Sequence, residues 1–246
     1  MKFIKFKSVS KEYAKGFFAL ENISFQIEES NFVSIVGPFG CGKTTILNLL
    51  GGVTKEYSGT ITIGDKSPEE AKKRYKIGYV FQKPTLLPWR NVVKNITLPQ
   101  EFNKIKDDAK INELLQLIGL EEMSFKMVYD LSGGMKQLVS IARSLVLDPD
   151  VLLLDEPFSS IDEINRTKMH LKLLEIHDKT KKTTILVTHS LTEAVFLSDQ
   201  VIVLTPRPAK VKKVININLS QRKEEIIFSE EFVKYKKTLK AELIGA

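Results

Sequence analysis

Residues 37–45 read GPFGCGKTT, in which Gly37, four further residues, then Gly42, Lys43 and Thr44 follow the strand-like run FVSIV (32–36). The apolar run ILNLL comes next, as the body of a helix would. The chemistry that needs this composition is phosphate binding. Glycines leave room for backbone N–H groups to wrap phosphate oxygens, and the start of the following helix adds a favourable dipole. On this reading Gly37, Pro38, Phe39, Gly40, Cys41, Gly42, Lys43, Thr44 and Thr45 cradle the phosphates of a nucleotide. Lys43 reaches the β- and γ-phosphates, and Thr44 offers its hydroxyl to Mg2+. Cys41 serves as a small residue with its backbone facing phosphate, not as a nucleophile, since no histidine lies near it in sequence.

The segment VLLLDEP (151–157) sets two carboxylates, Asp155 and Glu156, where an apolar strand emerges. In open α/β sheets that edge is where ligands bind. Asp155 suits a direct or water-mediated Mg2+ contact, and Glu156 is the residue to polarise water attacking a γ-phosphate. Asp-Glu-Pro alone is a common turn; the glycine-rich loop upstream gives it chemical meaning. A third segment, LSGGMKQ (131–137), sets Ser132, Gly133 and Gly134 at the start of an amphipathic pattern. Bare N–H groups and the helix dipole make an anion-binding end there, although a serine N-cap serves any helix.

These groups need a scaffold that gathers distant segments. Short apolar runs alternating with helical patterns supply it, as a largely parallel sheet covered by helices. The expected strands are 32–36, 77–81, 151–155, 184–188 and 201–204. Residues 1–30 differ: Ile23, Phe25 and Ile27 alternate with polar positions, as do Ile61 and Ile63, which predicts a half-exposed antiparallel region. From Lys83 to Leu131 strand signals vanish, and Ile111, Leu114, Leu115 and Ile118 form a helical stripe that stops at Gly119. The spacing of Met135, Leu138, Val139, Ala142, Leu145 and Val146 predicts a helix from Gly133 to Leu147, ended by Asp148 and Pro149. Beyond TPRP (205–208), Ile215, Ile217 and Leu219 alternate as a strand, and Phe232, Tyr235 and Leu239 mark one face of a terminal helix.

Composition narrows the classes. With 246 residues, 43% hydrophobic and 27% charged, the chain reads as one large globular α/β domain. No apolar stretch approaches the ~18 to 20 residues that span a bilayer, and the N-terminal alternation of Lys2, Lys5 and Lys7 with Phe3, Ile4 and Phe6 lacks a secretory core. A cytoplasmic setting is expected. A single cysteine and three scattered histidines offer no internal disulfide and no zinc-site spacing. The excess of 37 basic over 30 acidic side chains is spread along the chain, so an ordinary lysine-rich surface is expected and no nucleic-acid partner.

The glycine loop, LSGGMKQ and VLLLDEP, in this order and spacing, resemble the ATPase subunit of an ATP-binding cassette (ABC) transporter, over nearly the whole chain. The resemblance implies an α/β P-loop NTPase: a RecA-like parallel sheet with flanking helices, an N-terminal antiparallel β region and an inserted helical subdomain. It places residues 1–82 and 148–246 in the nucleotide-binding core and residues 83–147 in the helical subdomain, all within one domain spanning 1–246. ATP and Mg2+ are the implied cofactors. Tyr13 falls where such proteins stack an aromatic ring on adenine, with Phe17 and Phe18 as competing rings. Gln82 matches the glutamine that contacts Mg2+ and the attacking water, His189 the histidine that bonds the γ-phosphate, and Asp162 the aspartate loop that crosses to a second subunit, a role compatible with capping a helix. With Lys43 and Glu156, Gln82 and His189 complete the implied catalytic set. Phe39 departs from the serine common in the family, removing a hydroxyl near the γ-phosphate, and Leu138 stands where arginine is common.

The resemblance further implies a head-to-tail pair of ATPase subunits, in which LSGGMKQ of one closes on ATP held by the other. One copy of each motif means that the chain dimerises, with itself or a related subunit. FQKPTLLPWRNVVKNITLP (81–99) and TPRPAKV (205–211) resemble importers of nitrate, sulfonates, taurine and related small molecules, including thiamine-pyrimidine precursors and riboflavin. Implied partners are permease subunits and, indirectly, an extracytoplasmic substrate-binding protein, with the chain peripheral on the cytoplasmic face of the membrane. The alternative is a non-transport ABC ATPase acting on nucleic acid or complex assembly. Chromosome and repair ATPases of that type insert a long coiled coil between these motifs; only 85 residues separate Thr45 from Leu131, without sustained heptads. Trp89, the single tryptophan, either folds into the helical insertion or, with Leu86, Leu87 and Arg90, shapes a groove for a cytoplasmic helix of the permease.

Overall fold

A computed structural model describes residues 2–159, 161–219 and 222–244. The N-terminal alternation produces two long strands, β1 (Lys2–Ala14) and β2 (Phe17–Glu28), followed by β3 (Phe32–Val36), α1 (Lys43–Leu50) and β4 (Ser58–Ile63). Next come α2 (Pro68–Lys73), β5 (Ile77–Val80) and a wholly helical stretch of α3 (Val92–Ile96), α4 (Leu98–Phe102), α5 (Asp108–Ile118) and α6 (Gly133–Leu145). The chain continues through β6 (Val151–Asp155), α7 (Glu163–Thr180), β7 (Thr183–Val187), α8 (Leu191–Leu197), β8 (Gln200–Leu204), β9 (Val211–Asn216) and α9 (Glu230–Ile244).

Two sheets result. The antiparallel one has the order β2-β1-β4, and the larger one β5-β6-β7-β3-β8-β9. Its first five strands are parallel, and β9 closes the edge antiparallel to β8. Every residue of β3 and β7 is buried, as expected of parallel strands covered on both faces. The strand period sorts side chains between two cores. Val151 and Leu153 face a cluster with α1 and the antiparallel sheet, including Ile4, Ile23, Ile46 and Leu49. Leu152 and Leu154 face the opposite cluster, built with Ile96, Leu114, Val139, Phe196 and Phe232 of the covering helices. The phosphate-loop segment therefore leaves β3 with apolar packing on both sides.

Local signals explain the helix ends. Ser67 and Glu70 form a capping box at α2, Asp107 caps α5, and Gly119 ends α5 in the left-handed region at φ 69°. The helix expected from Gly133 to Leu147 stops at Leu145, and Asp148 turns the chain with φ 50° ahead of Pro149. The strand expected at Ile215, Ile217 and Leu219 lies earlier, at β9. Its ladder with β8 ends at the Gln200–Asn216 pair because β8 starts there. Ile217 is buried without joining that ladder, its N–H donating to Asp199 O at 2.8 Å. No described helix is long and apolar enough to cross a membrane.

Candidate nucleotide-binding site

The C-terminal ends of the parallel strands converge on a cleft of about 300 Å3, lined by Phe39, Gly40, Gly42, Lys43, Thr44, Thr45, Gln82, Asp155, Glu156 and Arg207. Its floor is the glycine-rich loop. Gly42 has φ 122°, and a side chain there would begin 2.9 Å from Leu20 Cδ2 and 3.0 Å from Ala19 O of β2. At Gly37 it would begin 2.8 Å from Cys41 Sγ and 3.0 Å from Leu204 Cβ at the end of β8. Glycine at both positions lets the loop seat between β2 and β8. Lys43 Nζ donates to Gly37 O at 2.9 Å and to Pro38 O at 3.0 Å, so its ammonium crosses the loop it would serve. Gly42 begins α1 without a side-chain cap, which leaves the helix start open to an anion. Cys41 points inward and is buried; burial pushes its thiol pKa up, consistent with a packing residue. Phe39 is fully exposed.

Across the loop, Thr44 Oγ1 donates to Asp155 Oδ1 at 3.3 Å. Burial raises the Asp155 pKa above the usual carboxylate value; the Thr44 bond opposes this and the Glu156 charge adds to it. Glu156 follows in the left-handed region, φ 45°, with its N–H donating to Val187 O at 2.9 Å. That turn swings its carboxylate off the strand line and into the cleft. Glu156 Oε2 lies 3.2 Å from His189 Nδ1 and accepts from Gln82 Nε2 at 3.4 Å. Gln82 Nε2 also donates to Ser159 Oγ at 3.3 Å, and that hydroxyl donates to Glu156 O at 3.0 Å. Three segments distant in sequence, at Gln82, Glu156–Ser159 and His189, thus meet around one carboxylate.

Of the three aromatic rings at the β1–β2 end, Tyr13 is tied most directly to the loop: its hydroxyl donates to Thr45 Oγ1 at 3.4 Å and its ring is half exposed. Phe17 carries the Arg207 guanidinium 4.4 Å from its ring centroid. Ser132, Gly133 and Gly134 are not among the residues lining the cleft. Ser132 caps α6, accepting from Met135 N at 3.3 Å, and Gly134 sits where a side chain would begin 3.3 Å from Met169 Sδ. Asp162 caps α7, accepting from Asn165 N at 3.1 Å. Sequence reasoning missed two residues: Arg207, which lines the cleft, and Ser159, which bonds Gln82 and the Glu156 carbonyl. Arg207 had a readable signal, since TPRP follows the apolar run 201–204 and so emerges at the same sheet edge as the glycine loop.

Comparison with known proteins agrees with this geometry. Residues 20–159 match the ABC transporter family. The chain is 41% identical over 213 residues to a taurine import ATP-binding protein of Rhizobium johnstonii, covering 85% of this chain and 80% of that protein. It is 39% identical over 221 residues to an aliphatic sulfonates import ATP-binding protein of Bacillus cereus, covering 89% and 85%. Among solved structures, a dimeric post-hydrolysis ATP-binding cassette bound to ADP and Pi aligns with TM-score 0.75 at 30% identity, covering 88% of this chain and 99% of that one. A subunit of a Clostridium perfringens ABC transporter complex aligns with TM-score 0.80 at 27% identity, covering 100% and 98%. With that ancestry and a phosphate loop facing a paired Asp-Glu, the chain belongs to the ABC transporter family and is an ATP-hydrolysing ABC ATPase of importer type.

Proposed function

We propose that this ATPase energises uptake of a small organic solute of the sulfonate or taurine class, working as a head-to-tail homodimer beneath permease subunits on the cytoplasmic face of the membrane. The observation that carries the dimer is the separation of the motifs. The cleft contains the glycine loop, Asp155, Glu156 and Gln82, whereas LSGGMKQ is absent from its lining. Ser132 and Gly134 of a second copy would close the site, with Asp162 at the crossing loop. Residues 83–147 act as the helical subdomain that carries LSGGMKQ within the single domain.

The donor set fits ATP with Mg2+. An uncapped helix start and the Lys43 ammonium suit phosphate, and the Thr44 and Asp155 oxygens, 3.3 Å apart, suit a hard cation. Mg2+, when bound there with Gln82 nearby, supplies charge neutralisation. Tyr13 orients the adenine by stacking, and the loop holds the phosphates in line. Glu156 accepts the proton of the attacking water, and His189, sharing Glu156 Oε2, steadies that carboxylate and the γ-phosphate together. Gln82 bridges this carboxylate to the segment entering the helical region, where Trp89 is 72% exposed and Phe81 45% exposed. That exposure removes the reading of Trp89 as core and supports a permease helix docking beside it. A substrate-binding protein outside the membrane would deliver the solute to the permease.

The test is copurification and transport. The tagged chain should bring down its permease subunits, and deletion should abolish growth on taurine or aliphatic sulfonates as sole sulfur source. Growth unaffected on both, with loss on another nutrient, would reject the substrate class and leave the ATPase assignment standing.

A further inference from the structure

The phosphate loop is flanked by a second cation that the glycine-loop motif does not contain. β8 ends at Leu204, whose Cβ sits 3.0 Å from where a side chain on Gly37 would begin. The turn that follows is closed on itself: Thr205 N donates to Lys210 O at 3.0 Å, and Lys210 N to Thr205 Oγ1 at 2.9 Å. It is also stitched to β2, with Ala209 N donating to Ala19 O at 3.0 Å, Glu21 N to Ala209 O at 2.9 Å, and Lys210 paired with Glu21 at 3.0 Å. Arg207 stands within this turn, lines the cleft, and rests its guanidinium on the exposed ring of Phe17.

Stacking of this kind uses the face of the guanidinium and leaves its in-plane N–H groups free to donate. Among the described residues no carboxylate forms an ion pair with Arg207. The two acids of the cleft are engaged elsewhere, Asp155 with Thr44 and Glu156 with His189 and Gln82. The charge of Arg207 also reaches the loop itself, since it is one of the influences that counter burial at the Cys41 thiol. Without it, the cleft lining would set Lys43 alone against Asp155 and Glu156 before a polyanion arrives.

The geometry points to Arg207 as a phosphate-binding residue of the nucleotide site, held ready by Phe17 and supplementing Lys43. This rests on the cleft being the ATP site, so the experiment carries a control for that reading. ATP affinity is measured without Mg2+ at several salt concentrations for the wild type, Arg207→Ala, Arg207→Lys and Lys43→Ala. Arg207→Ala should weaken ATP binding on the order of tenfold and flatten the dependence of Kd on salt, as loss of one charge-assisted contact does. Arg207→Lys, which keeps the charge but loses the fork and the stack, should lose only about threefold. Thermal melting of Arg207→Ala in the absence of ATP should match the wild type, because the side chain is exposed. Unchanged ATP affinity in Arg207→Ala, with binding lost in Lys43→Ala, would overturn the inference alone. Equal losses in Arg207→Ala and Arg207→Lys with an unaltered salt dependence would also overturn it, by showing a stacking role without phosphate contact. Retained binding in Lys43→Ala would instead reject the cleft as the ATP site.

Discussion

Replacing Glu156 by glutamine isolates one function of a single side chain. Both protein contacts of the carboxylate converge on Oε2, from His189 Nδ1 at 3.2 Å and Gln82 Nε2 at 3.4 Å. A glutamine that puts its carbonyl oxygen at that position keeps both partners, has nearly the same volume, and retains the left-handed turn at φ 45°. ATP affinity should therefore change by less than about fivefold, a difference below about 1 kcal/mol. Proton acceptance has no such substitute. A positioned general base contributes roughly 10²–10⁴ in rate, about 3–5 kcal/mol of barrier. The variant should bind ATP almost normally and hydrolyse it at least about a hundredfold more slowly. The assay is single-turnover hydrolysis with enzyme in excess, paired with equilibrium ATP binding, so that slow product release cannot imitate slow chemistry. Hydrolysis within a few-fold of wild type would refute the assignment and move the proton to another acceptor.

Three further outcomes follow from the packing. Gly42→Ala would strain a backbone at φ 122° and press a methyl group onto Leu20 and Ala19, costing about 1–3 kcal/mol of stability; an unchanged urea midpoint would contradict this. Trp89→Ala removes an exposed ring and should leave the stability and basal ATPase of the isolated subunit unchanged while reducing copurification with the permease; an intact, normally stimulated complex would exclude Trp89 from that interface. Burial lowers the pKa of His177, which packs edge-on to Phe32 with Nδ1 3.2 Å from Thr184 Oγ1. The unfolded chain therefore takes up this proton first, so the contribution is whole above about pH 6.5 and is lost as pH falls towards the lower folded value. His177→Gln should shed that part of the acid-side slope in a series of urea midpoints, and an identical slope in the variant would disprove the linkage.

Much of this arrangement could be read from residues whose signals are local. The uninterrupted apolar run at 151–154 announces a strand buried on both faces, and Ser132 ahead of a 3.6-residue period announces the start of α6. Glycine, lysine and threonine in the loop after β3 are legible because phosphate wrapping restricts residue type at each step. Signals failed where tertiary context decides. Ile217 and Leu219 alternate like a strand, but β8 is too short to pair with them, and the same period is used for core contact alone. Short α2, α3 and α4 depend on caps at Ser67 and Asn91 and on a proline at the start of α4, without a stripe long enough to register as a period. Ser159 and Arg207 join the site only through the turns that carry them. Trp89 was legible as a residue between prolines, and its exposure was not, because that depends on how α3 and α6 leave the preceding loop.

The seating of the glycine loop against β2 has a consequence for what the site measures. Gly42 leaves no room for a side chain against Ala19 and Leu20, and Thr45 meets the Tyr13 hydroxyl, so the ring and the phosphate cradle are fastened to one frame across the boundary of the two sheets. Their spacing is fixed by packed backbone, whatever the helical segment does on the other side of the cleft. Such a frame works as a caliper. On the proposed stacking of a base on Tyr13, it would gauge the distance from a flat base to a polyphosphate, since a stacked ring is nearly indifferent to the hydrogen-bonding edge of the base it grips. With Tyr13 in its proposed role as the stacking ring, selection would be by span: adenosine alone would lack the far jaw, inorganic phosphate the near one, and purine triphosphates other than ATP are expected to compete for the site.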